Sequence, residues 1–242
     1  HAPLVFALLL AIAIALARAA ERLVRAAFGR FRLALVARAE PPLGLTRLAA
    51  LFVLDALPVA ALWLVSEAAS GLLGGNDAQA RAATLVLGAL FAWRFYMLVF
   101  RAWLQPDNAA ARVVPLDEGG ARTVYRCLGG IVVVMLVART WLKLHVDSGT
   151  AADAIGAAML VNNLVVTAFF IAMIWRARVP VAAWLGALAG PSTGAGAWKG
   201  ALARNWWVGG IAFYLVSSAA QALGALSGRF DVAAGLNKTQ TI

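Results

Sequence analysis

The 242-residue chain is 63% hydrophobic and only 13% charged, with a mean hydropathy of +0.82, whereas soluble domains carry about 45–50% apolar and about 25% charged residues. This excludes a water-soluble globular domain, because too little polar surface remains to face solvent. The net charge of +10 would point to nucleic acid in a soluble protein. Here the cations flank apolar segments, where they set topology and meet anionic headgroups, and no nucleic-acid reader module accompanies them.

About 20 apolar residues are needed to cross a hydrocarbon core about 30 Å thick. Six segments qualify in chain order: Pro3–Ala17, Leu48–Ser66, Ala82–Phe100, Val124–Trp141, Ala154–Trp175 and Asn205–Gly224. The expected fold is therefore an all-α integral membrane protein of about six spans paired as helical hairpins. The first segment is short and the chain opens on His1, so a processed product or fragment is expected. After it, Arg18–Arg38 reads as a helix continuing from the membrane, with Arg18, Arg22 and Arg25 on one side and Leu23, Ala27 and Phe31 on another, a basic amphipathic interfacial pattern. Pro41-Pro42 should end it.

The fourth segment carries Arg126 and Arg139 near its ends, where long side chains snorkel to the interface. Segments three and four, and segments five and six, resemble two hairpins with Pro106 and Pro180 shortly after the first helix of each. Pro58, Pro106, Pro115 and Pro180 are read as helix stops or rigid corners.

Loop charge gives an orientation. The connections after the first, third and fifth segments hold fourteen basic residues, and the remaining connections with the tail hold four. Positive loops favour the cytoplasm, so the N-terminus is expected outside, in the periplasm of a bacterial inner membrane. The ratio of 18 Arg to 3 Lys suits a GC-rich bacterial genome. Trp103, Trp141, Trp175, Trp198, Trp206 and Trp207 fall at or just beyond segment ends, as an interfacial aromatic belt requires.

No catalytic, cofactor or metal constellation is legible, and no enzyme activity is expected. The single Cys127 lies in an apolar stretch, and the two histidines, His1 and His145, lack partners at ligand spacing. Polar groups inside spans are expensive in lipid and thus draw attention. Asp55 precedes Pro58 by three residues and is expected to pair with an arginine such as Arg94, or else to face a wet cavity. Asn162 and Asn163, in mid-segment five, are expected to hydrogen-bond a neighbouring helix or to line a path.

The text between segments three and four is distinctive: Phe100-Arg101-Ala102-Trp103-Leu104-Gln105-Pro106, then Ala111-Arg112-Val113-Val114-Pro115-Leu116-Asp117, then Gly120-Ala121-Arg122. It resembles a stretch in the N-terminal membrane region of large mechanosensitive channels of the MscS superfamily. Ile174–Ala182, which holds Arg176, Arg178 and Pro180, and Leu202–Trp207 followed by Phe213-Tyr214-Leu215 are similar to later parts of that region. The resemblance implies lipid-facing hairpins arranged as peripheral tension-sensing paddles in a cyclic homo-oligomer, a heptamer in that family, protecting against osmotic downshock. The family's pore helix and cytoplasmic domain do not appear in this sequence. On this reading Arg18, Arg22, Arg25, Arg101, Arg112, Arg176 and Arg178 contact lipid headgroups. A small secondary transporter, or a non-enzymatic membrane scaffold, is the alternative.

Overall fold

A computed structural model describes residues 2–37, 44–73, 76–189 and 197–226. Six long α-helices follow one another: α1 (Ala2–Ala37), α2 (Leu45–Leu72), α3 (Asp77–Leu104), α4 (Glu118–Asp147), α5 (Ala152–Ala189) and α6 (Ala197–Leu226). All six are long and apolar enough to cross a bilayer. This is the architecture of a multi-pass membrane protein. Between 11% and 28% of each helix's most apolar stretch is buried within the fold, so most of that surface faces outward. Leu4, Leu8, Ile12 and Leu16 make one such outward row, at a helical repeat of four.

The helices exceed the segments read from sequence. α1 has 36 residues and α5 has 38, about 54 Å and about 57 Å at 1.5 Å per residue. The basic stretch after Ala17 is indeed helical and continues α1 without a break. Pro58 and Pro180 are not corners, because α2 and α5 run through them. Each proline removes one i→i−4 bond, from the carbonyls of Leu54 and Arg176, but the rest of the helical ladder persists. Pro106 and Pro115 do mark breaks, lying between α3 and α4. Arg38 and Pro41-Pro42 lie outside the described residues.

The chain divides into two units, residues 1–113 and 114–242. In the first, α2 packs on α1 and α3; in the second, α5 packs on α4 and α6. Helices consecutive in the chain that pack on one another form hairpins, so each unit is a three-helix sequence of two overlapping hairpins. The division falls between α3 and α4.

Local chemistry sets the helix ends. Asn76 caps α3 by accepting from the Gln79 N–H at 2.9 Å, and Asp117 caps α4 by accepting from the Gly120 N–H at 3.0 Å. A Cβ on residue 120 would stand 2.5 Å from the Asp117 carboxylate and 3.0 Å from the Pro180 side chain, so a larger residue there would displace the cap. α4 ends at Ser148, and Gly149 at φ +71° makes the left-handed step into the turn toward α5. α3 ends in a left-handed residue that is not glycine, Gln105 at φ +35°, whose N–H bonds the Arg101 carbonyl.

Candidate functional site

The first unit holds an unusual concentration of ionised groups. Glu21 lies on the face of α1 that also buries Ala13 and Ala17, at a repeat of four residues. Its side chain is 3% exposed, and three arginines converge on it. Arg18 Nη1 donates to Oε2 at 3.0 Å, and Arg25 Nη2 donates to Oε1 at 2.5 Å. Arg94 Nη2, from α3, also donates to Oε1. Arg18 and Arg25 reach Glu21 along one helix (i,i+3 and i,i+4), whereas Arg94 ties α3 to α1. The Trp93 ring lies under the guanidinium groups of Arg18 and Arg94, 5.2 and 5.3 Å from its centroid, within cation–π range.

A second rung lies toward the ends of α1 and α3. Arg32, eleven residues beyond Glu21, stands on nearly the same face of α1, since eleven residues make three turns. Its Nε donates to Asp55 Oδ1 at 2.8 Å. Arg101, two turns beyond Arg94 on α3, brings its Nε to 4.0 Å from Asp55 Oδ2 and its Nη2 to 3.1 Å from Asp107. Asp55 on α2 thus sits between an arginine of α1 and one of α3. The two rungs run in the same order along α1 and α3, as a parallel pair separated by an antiparallel α2 requires.

The sequence reading placed Arg94 opposite Asp55. The structure corrects this: Arg94 goes to Glu21, and the partner of Asp55 is Arg32. The reason is register, since Arg94 lies two turns before Arg101 and therefore meets the earlier carboxylate. Glu21 was passed over because the stretch reads as basic. Its signal was present in the spacing, one acid between Arg18 and Arg25 in line with small residues facing inward.

Beside the second rung, an apolar groove of about 340 Å³ opens between α2 and the end of α3. Leu48, Phe52, Leu98 and Trp103 contribute its walls, and Asp55 is its charged member. Pro58, one turn beyond Asp55, is buried in the same helix.

The distinctive linker motif has a structural role on each side of the division. In the first unit, Arg112 Nε donates to the Leu104 carbonyl at 3.1 Å, and the Val113 N–H meets the Trp103 carbonyl at 3.3 Å. Arg112 therefore closes the open carbonyl end of α3, where a cation also opposes the helix dipole. In the second unit, Asp117 and Gly120 form the cap of α4 described above.

The second unit has far fewer internal charges. Asn163 Nδ2 donates to the Ser218 carbonyl at 2.9 Å, and Thr167 Oγ1 stands 3.4 Å from Asn163 Oδ1, all buried. Asn163 thus bonds the neighbouring helix as its position suggested, whereas Asn162 lies on the half-exposed side of α5. Phe170 packs on Tyr214 at 4.3 Å between centroids, and Trp175 meets Trp207 edge-on at 5.1 Å. Arg178 stacks over Trp175 at 3.9 Å, and its carbonyl accepts from Trp206 Nε1 at 3.2 Å. Arg176 is exposed on the outer surface, as is Arg22 on α1.

The arginines expected at headgroups thus divide. Arg22 and Arg176 face outward, Arg18 and Arg25 reach outward while holding Glu21, Arg101 is engaged with two aspartates, Arg112 caps α3, and Arg178 stacks on tryptophan. Among the described residues no group of three or more His, Cys, Asp or Glu side chains is placed to hold a metal ion. Among the described residues the arrangement is one of ion pairs and outward-facing apolar surface. Comparison with family models, curated proteins and solved structures finds no match for this chain.

Proposed function

We propose that this chain is the peripheral, tension-sensing membrane region of a mechanosensitive channel of the MscS superfamily, working as part of a cyclic homo-oligomer in a bacterial plasma membrane with its N-terminus in the periplasm. The observation that carries the reading is the linker sequence from Phe100 to Arg122, together with its similar companions at Ile174–Ala182 and Leu202–Leu215.

The physics of the helices supports it. Every helix is at least 28 residues long, about 42 Å or more, against a hydrocarbon core of about 30 Å. Such helices meet the bilayer by tilting or by extending past it, and both adjustments change in energy when the bilayer thins. Trp103, Trp175 and Trp198 are exposed, and outward arginines such as Arg22 and Arg176 grip the interface. Tension shifts the balance between two arrangements only if they differ in their interaction with the bilayer. Two three-helix units with outward apolar faces provide a surface through which such a difference acts.

The test is patch-clamp recording of the full-length protein reconstituted in liposomes under graded suction. Pressure-gated current is expected, and deleting residues 1–113 should move or abolish its threshold. Absence of pressure-gated current from correctly inserted full-length protein would overturn the proposal.

A further inference from the structure

We infer that the Glu21 cluster is an anion-binding site whose ligand is a phosphate group. Three guanidinium groups, those of Arg18, Arg25 and Arg94, meet the single carboxylate of Glu21. Arginine stays protonated in proteins, so two positive charges remain after Glu21 has neutralised one. Excess charge within an apolar helical unit is costly unless it finds a counter-ion. The other acids of the network do not supply one. Asp55 is bonded to Arg32 and faces Arg101, and Asp107 is held by Arg101.

A second observation points the same way. The Nε–H of Arg94 is buried and has no hydrogen-bond acceptor among the described residues. A buried donor without an acceptor is uncommon in folded proteins, and on a guanidinium it is an unmet demand for an oxyanion. The cluster is also reachable. The Arg25 side chain is 51% exposed and that of Arg18 is 31% exposed, so these two arginines carry the cluster's charge to the surface above the buried carboxylate.

The chemistry selects phosphate. Trp93 lies within cation–π range of both Arg18 and Arg94, a contact through the ring face that leaves guanidinium N–H groups not already given to Glu21 for other acceptors. A phosphate group offers several oxygens in three dimensions and one or two negative charges, matching both the surplus and the spread of donors. It can come from an anionic phospholipid headgroup or from free phosphate. The inference deepens the headgroup-contact reading of Arg18 and Arg25, yet it does not need the chain to be part of a channel.

The test uses the intact chain in a neutral detergent, with thermal unfolding followed during titration with dioleoyl phosphatidylglycerol, the corresponding diacylglycerol, or inorganic phosphate. A saturable rise in melting temperature is expected with the phosphate-bearing lipid and not with the diacylglycerol. An equal rise with inorganic phosphate identifies the free anion as a sufficient ligand, whereas a rise with the lipid alone assigns the site to a headgroup. Arg25→Gln, at a half-exposed position, should raise the half-saturating concentration about tenfold, the effect of losing one charge-assisted hydrogen bond. Glu21→Gln removes the competing carboxylate and should lower it. Arg81→Gln, exposed near the start of α3 and about 20 Å along that helix from Arg94, should leave it unchanged. The inference is overturned if diacylglycerol acts as well as the phospholipid, if neither phosphate source acts, or if Arg25→Gln titrates like the unaltered chain. The channel reading is decided separately by suction-gated current.

Discussion

In the first unit, residues 1–113, ion pairs join the helices alongside apolar packing such as Trp63 against Phe91, whereas among the described residues of the second unit, residues 114–242, the contacts shown between helices are aromatic, amide and small-residue contacts. Both units join apolar helices where lipid offers no hydrophobic gain from helix association, so packing and polar contacts must do the joining. The first unit does so with Glu21–Arg94 between α1 and α3, and with Arg32–Asp55–Arg101 across all three helices. The second places Gly130 where a Cβ would stand 3.1 Å from Phe169, seats Phe170 on Tyr214, and adds one amide bond from Asn163. The difference teaches where each unit is vulnerable. An ionic rung fails badly when one partner goes, because the other charge stays behind. A packed interface loses only the contacts removed.

That contrast can be broken by substitution, with thermal unfolding in neutral detergent as the measure. The largest loss is expected for Glu21→Gln, which leaves three arginines facing one another, at about 3 kcal/mol or more. Added anionic phospholipid should recover part of that loss. Gly130→Leu should come next, at about 2 kcal/mol, because the added side chain must displace Phe169 and part α4 from α5. Asn163→Val should be the mildest, at about 1 kcal/mol, since interhelical hydrogen bonds in membranes are individually weak. If Asn163→Val costs more than Glu21→Gln, the distinction between an ionic and a packed unit is wrong. A large loss for Glu21→Gln beside a small one for Asn163→Val would sharpen it.

The helical architecture was legible because bilayer thickness imposes a length and an apolar composition that six segments visibly satisfy. Helix ends were less so. Pro58 and Pro180 suggested interruptions, but a proline within a long helix removes only one backbone bond, and the remaining ladder carries α2 and α5 onward. Asn163 was foreseen as an interhelical donor because an amide in a span must find an acceptor. The ion pairs were foreseen in kind but not in partner. Asp55 needed an arginine, yet choosing between Arg32, Arg94 and Arg101 depends on how far α1, α2 and α3 slide along one another.

By itself, then, the sequence determined six bilayer-length apolar helices, the bias of arginine toward alternate connections, and the residues rich enough in charge or amide character to demand partners. These follow from local composition and from the cost of polar groups in lipid, which need no knowledge of neighbours. Only the tertiary structure decided that Glu21 is the buried hub of three arginines, that Arg32 rather than Arg94 meets Asp55, and that the helices group three and three. Those outcomes depend on register between helices far apart in the chain. Register is set by the packing of whole faces, with Ala13, Ala17 and Glu21 turned inward together, and no single residue announces it.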